Sequence, residues 1–165
     1  MSNERIRNSF GMCHVNEGST LNIVHEKYVL DKTRKFYLFD VVPMGGVRMS
    51  QSDRWKTNPN HIDPRKRQRK VVTQYFLFKN VLTLQAKEMN YELGKYIDAL
   101  FLIPMPNTWS KKKKEQMNGM PCESKPDTDN LLKAVCDSLR TSDQDIWYMK
   151  GVKVWAYKGS IILFA

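Results

Sequence analysis

A chain of 165 residues with 41% apolar side chains is long enough to fold as one domain around its own core, and no apolar run reaches the roughly 18 residues of a membrane span. Its 27 Lys and Arg against 17 Asp and Glu leave a net charge of +10, which favours a nucleic-acid or other anionic-surface partner. Cys13, Cys122 and Cys136 are odd in number and form no C-x-x-C pair, which argues against a disulfide framework or a zinc ribbon; with a polar start that lacks a signal-peptide core, they predict a soluble, cytoplasmic protein without a membrane partner.

Residues 1–34 are polar and weakly patterned, with Leu21 to Val24 and Tyr28 to Leu30 suited to short strands, and they read as an N-terminal extension of unassigned role. Lys35 to Val42 is rich in β-formers and runs into Pro43, Gly45 and Gly46, which predicts a strand and a turn. From Arg48 to Lys70 the chain is a basic loop. Tyr75, Phe78, Leu82, Ala86, Met89 and Leu93 then recur at steps of three and four, an amphipathic helix closed by Gly94.

Ile97 to Ile103 reads as a buried strand closed by Pro104 and Pro106, and Lys111 to Lys114 as a basic loop running on to Gly119 and Pro121. Leu131, Leu132, Val135, Cys136 and Leu139 give one apolar face to a helix from about Asp129 to Arg140. Val152 to Tyr157 and Ser160 to Phe164, split by Gly159, predict a C-terminal hairpin. Strand, helix, strand, helix and two strands make an α+β class, a mixed β-sheet flanked by helices.

The chemistry concentrates in Lys125 to Lys133, where Asp127 and Asp129 stand two apart as a proline-led extended segment becomes a helix. Asp129 and Lys133 are four apart and share a helical face. Cutting a phosphodiester brings an anionic nucleophile to an anionic phosphate, a repulsion that a carboxylate-held divalent metal offsets. Oxygen ligands and nucleic-acid phosphates favour Mg²⁺. Two aspartates this close resist ionisation unless a cation lies between them, and Lys133 would stabilise charge developing on the phosphate. The same residues also suit a plainer role, in which Asp127, Asp129 or Asn130 caps the helix and Lys133 pairs with Asp129 or Asp137. Spacing alone leaves both readings open.

Lys125-Pro126-Asp127-Thr128-Asp129-Asn130-Leu131-Leu132-Lys133-Ala134-Val135-Cys136-Asp137-Ser138-Leu139 resembles the D-x-D-N-L-x-K-A-x-x-D-x-L signature of the RusA family of Holliday junction resolvases, found mostly in phages and prophages. Val42 to Trp55 and Ile103 to Lys113 resemble phage members too, so the likeness covers about residues 35–165 and implies a RusA-like single domain there. It implies that Asp127 and Asp129 hold metal and that Lys133 is the catalytic lysine. The third carboxylate of the family is the second aspartate of a D-D-x-Q-I pattern, and the corresponding run is Ser142-Asp143-Gln144-Asp145-Ile146-Trp147. Anchored on Ile146-Trp147, Asp143 takes the metal-binding place, Ser142 stands for the first aspartate and Asp145 for the polar residue before the isoleucine. In an extended segment Asp145 projects to the same side as Asp143, as substitute or helper.

The implied activity is that of a Mg²⁺-dependent endodeoxyribonuclease, with Mn²⁺ as a substitute, resolving four-way DNA junctions in recombination and repair inside a bacterium or a phage-infected host. A homodimer would set two equivalent sites against two equivalent strands. Two alternatives stand beside it: a flap or branched-DNA nuclease with the same site, and a catalytically silent DNA-binding protein. Arg48 and the run Lys111, Lys112, Lys113 and Lys114 are candidates for phosphate contact, and Arg65 to Lys70 is an expanded basic loop. His14, His25 and His61 lack ligand spacing, and Trp147 and Trp155 read as core or dimer packing.

Overall fold

The computed structural model describes residues 35–140 and 144–164, together with two short antiparallel strands, β1 (Ile6–Arg7) and β2 (Met12–Cys13). The strands expected within residues 21–30 lie outside the described residues. The main elements are β3 (Phe36–Phe39), α1 (Lys70–Glu88), β4 (Tyr96–Pro104), α2 (Lys111–Met117), α3 (Thr128–Leu139), β5 (Tyr148–Ala156) and β6 (Ser160–Phe164). The architecture is α+β, with a mixed sheet in the order β3-β6-β4-β5. β4 and β5 run parallel, Tyr96 opposite Tyr148, while β6 runs antiparallel to both β4 and β3.

Alternation along the strands sorts side chains to two faces. Ile97, Ala99, Phe101 and Ile103 of β4, with Trp155, Ile161 and Leu163, face the helices. There they meet Tyr75, Phe78, Leu82 and Ala86 of α1 and Leu131, Leu132 and Val135 of α3, the apolar stripes that the three-and-four spacing predicts. Burying each such aliphatic or aromatic side chain contributes roughly 1.5–3 kcal/mol. Leu100, Leu102, Val154, Ala156, Ile162 and Phe164 form a second apolar cluster on the opposite face.

Three expectations need correction. The predicted C-terminal hairpin does not form: β6 pairs with β3 and β4, and β5 lies on the other side of β4. The chain crosses the end of β4 at Gly159, where a Cβ would meet Val42 at 3.0 Å and the Pro104 ring at 3.2 Å, so a residue without a side chain makes the crossing. The long helix stops at Glu88 and not at Gly94, because Asn90 turns into the left-handed region (φ 51°) and Tyr91 N–H returns to Ala86 O at 2.8 Å. The lysine run is not a loop but the start of α2, whose N-cap Ser110 accepts from Lys113 N–H at 3.3 Å. Trp155 is core, 5.0 Å from Trp109, whereas Trp147 is largely exposed.

Candidate active site

The segment after α2 leads the chain into the site along the free edge of β5. Gly119 N–H donates to Trp155 O, Trp155 N–H to Met120 O and Cys122 N–H to Lys153 O, each at 2.9–3.0 Å. One side chain then fixes the last residues before the carboxylates. The Lys153 ammonium donates to Ser124 O at 2.7 Å and to Pro126 O at 2.9 Å.

Asp127 is the N-cap of α3, with extended backbone and its carbonyl accepting from Leu131 N–H at 3.0 Å. Its carboxylate makes no capping bond. Asp129 stands in the first turn and Lys133 one turn on, all three exposed. Among the described residues, neither carboxylate accepts a hydrogen bond or pairs with a cation, and Lys133 pairs with neither Asp129 nor Asp137. Asp127 thus holds the N-cap position of the plainer reading without its side-chain bond, and the ion pair of that reading is not made among the described residues. The α3 N-terminus carries partial positive charge that favours these two anions without neutralising them.

Asp137 is engaged elsewhere, accepting from the Tyr75 hydroxyl at 3.3 Å and so tying α3 to α1. Burial, reinforced by the Asp137 charge, pushes the Tyr75 phenol up to about 12, so it stays a donor. The turn after β3 approaches the same helix: Gly46 N–H donates to Asn130 O at 3.2 Å, and a Cβ at Gly45 would meet the Asn130 amide at 2.6 Å. A glycine pair thus lets backbone lie against the helix that carries the carboxylates.

Two exposed aspartates with no described donor present the hard oxygen ligands that Mg²⁺ takes, so the donor set fits that ion. Among the described residues no third carboxylate, histidine or cysteine joins them. Ser142 and Asp143 lie outside the described residues. Asp145 is held by Arg140, whose Nη2 donates to its carboxylate at 2.8 Å. His61 is a local acceptor, taking Asp63 N–H at 3.0 Å.

The family model of endodeoxyribonuclease RusA matches residues 43–155. The chain belongs to the RusA endodeoxyribonuclease family. DNA is therefore the substrate class. No curated protein and no solved structure matches the chain. The RusA match begins at Pro43, later than the residue-35 limit of the sequence likeness, and takes in the Gly45-Gly46 turn, α1, β4, α2, α3 and nearly all of β5.

The cationic candidates lie on two other segments of the chain, the stretch before the long helix and the start of α2. Arg48 is exposed, with its carbonyl held by Arg69 Nη2 at 3.0 Å. Lys111, Lys112 and Lys113 are exposed and Lys114 half-buried, with the Lys113 ammonium 4.3 Å above the Trp109 ring. Lys153, Asn130, Tyr75 and Asp137 are supporting residues; sequence reading offers Asn130 only as a cap and Asp137 only as a partner of Lys133, and assigns Tyr75 and Lys153 no role at the site. Asn130 and Asp137 lie inside the family signature, which was the available signal for them; Lys153 had none.

Among the described residues no helix is long and apolar enough to cross a membrane.

Proposed function

We propose that this RusA-family chain is a structure-selective endodeoxyribonuclease that resolves four-way DNA junctions in recombination and repair, with Asp127, Asp129 and Asp143 holding Mg²⁺ or, in its place, Mn²⁺. The reading rests above all on two exposed carboxylates at a helix start, with neither a capping bond nor a described cation partner, in a chain of an endodeoxyribonuclease family. The bound metal supplies charge neutralisation at the phosphate and a water of lowered pKa.

The chain's own groups do the rest. Lys133, one turn from Asp129, brings an ammonium to the charge that develops on the phosphate as its bond to the leaving oxygen breaks. Lys153 and the Gly46–Asn130 contact hold the carboxylate-bearing segment in place, so less ordering remains when substrate arrives. Arg48 and Lys111, Lys112, Lys113 and Lys114 neutralise flanking phosphates and fix the duplex arms. Asp143 completes the ligand set in preference to Asp145, whose carboxylate already has Arg140.

The working form is a homodimer, since two strands of a junction are cut symmetrically. β6 has both edges paired within the sheet and offers none to a partner strand. Residues 35–165 form the nuclease domain and residues 1–34 an extension to it, in a soluble protein acting in the cytoplasm of a bacterium or a phage-infected host. The test is incubation of the full chain with a synthetic four-way junction, a flap and a linear duplex, with and without Mg²⁺. Paired, metal-dependent nicks in the junction are expected. Cutting of the flap alone would support the branched-DNA alternative, and binding without nicking the silent one.

A further inference from the structure

Between Arg48 and Lys70 the chain carries eight Lys or Arg against two Asp. Asp53 is turned inward, its side chain 1% exposed, and Asp63 caps the turn Pro64–Lys66 by accepting from Arg65 N–H at 2.9 Å. On this basic segment Trp55 closes the turn Gln51–Arg54 with 84% of its surface exposed. Its ring makes no ring–ring or cation–ring contact with any described residue. An indole left in water contributes little to the fold, so its placement is not explained by packing.

The turn that carries it is braced. The Asp53 carboxylate accepts from Ser50 N–H at 2.7 Å, Ser50 Oγ at 2.8 Å, Arg69 Nε at 3.0 Å and Arg69 Nη2 at 2.6 Å. Arg69 also holds Arg48 O and stands at the N-cap position of α1. At its other end the segment is continuous with Gly46, whose N–H lies on Asn130 beside the carboxylates. A ring carried on a braced turn costs less backbone ordering on binding than a ring on a loose loop.

We propose that Trp55 is a stacking platform for a base exposed at the branch of a DNA junction, flanked by Arg54 and Lys56 on the neighbouring phosphates, and that it supplies part of the preference for branched over linear DNA. In a linear duplex each base face is covered by its neighbours, and a protein meets phosphates and groove edges. At a branch the stack is interrupted and a face becomes available, which any aromatic ring accepts without regard to sequence. This assignment rests on the reading of Asp127 and Asp129 as a DNA-cutting site, and it adds a discriminating contact outside that site.

The test measures binding of the full chain to a four-way junction and to a linear duplex of equal length, in EDTA so that neither is cut, over a series of salt concentrations. Trp55→Ala should weaken junction binding roughly ten-fold or more, leave duplex affinity unchanged and keep the salt slope, because no phosphate contact is lost. Trp55→Phe should retain most of the preference. A 2-aminopurine at the branch should be quenched by the wild type and not by Trp55→Ala. Equal weakening on both DNAs, or no change on either, overturns the assignment while the wild type still nicks junctions with Mg²⁺. A wild type that neither prefers nor nicks junctions overturns the cleavage reading and this inference with it.

Discussion

Asp53, the third residue of the turn Gln51–Arg54, and Asp127, the N-cap of α3, carry carboxylates that the fold treats in opposite ways. The first is withdrawn from solvent and accepts four hydrogen bonds from Ser50 and Arg69, which hold its pKa far below the usual carboxylate range, the Arg69 bond first. The second is exposed, makes no cap bond and has no described cation beside it. An aspartate that serves the fold has its charge answered internally. One that is exposed with no described partner, two residues from another, keeps its oxygens available to a cation from outside. Composition cannot separate the two cases; their partners can.

The sharpest way to break this contrast is to neutralise each side of it. Asp127→Asn and Asp129→Asn should each abolish cleavage, a loss of several orders of magnitude, with junction binding intact or tighter and the thermal midpoint little changed. Asp53→Asn should lower the thermal midpoint instead and leave Mg²⁺ dependence as it was. Near wild-type cutting by either site variant would return Asp127 and Asp129 to the structural class.

The same contrast orders Asp143 and Asp145. Asp143→Asn should be inactive, while Asp145→Asn, which removes a partner of Arg140, should keep most activity. The reverse outcome in a nicking assay would shift the metal-site register by two residues.

Lysines divide in the same way. Lys133→Ala should cut roughly 10²-fold more slowly, the scale of removing one transition-state donor, with fold and binding retained. Lys153→Met, which frees Ser124 O and Pro126 O, should lose about 10-fold and require more Mg²⁺ for half-maximal rate, as expected of a positioning residue. Unaltered Mg²⁺ dependence in that variant would confine Lys153 to packing.

The smallest effect is a pH dependence. Because the Asp53 pKa is depressed in the folded state, its contribution is present above the unfolded value of about 4 and is lost as pH falls from there toward the folded value. Thermal midpoints of wild type and Asp53→Asn should differ most near neutrality and converge on acidification below about pH 4. A constant difference down to acid would show that the Arg69 pairing is not the origin.

Much of this molecule was legible in its sequence because the signals were local. Periodicity placed the stripe of Tyr75, Phe78, Leu82 and Ala86, and the signature from Asp127 to Leu139 marked the helix with its candidate ligands. What sequence reading did not give depended on distant pairings. The position of β6 between β3 and β4 is decided by contacts across the chain, and two adjacent strands split by a glycine look like a hairpin until the crossing over Pro104 is seen. Asp53 finds Arg69 sixteen residues away, and Lys153 reaches Ser124 and Pro126 across 29 and 27. Ser110 gave a local cap signal for α2, which the four lysines behind it obscured.

The pairing of Phe36 with Phe164 has a kinetic consequence. It closes a loop that spans most of the chain, and contacts of such separation carry a large closure entropy and slow folding. β3 meets the main sheet only through β6, and the turn that lays Gly46 on Asn130 follows β3 directly. Contact-order reasoning therefore places the last wall of the carboxylate site among the late folding events. The helix bearing Asp127 and Asp129 would dock on β4 and β5 early, whereas nuclease competence would wait for the slowest strand to find its neighbour.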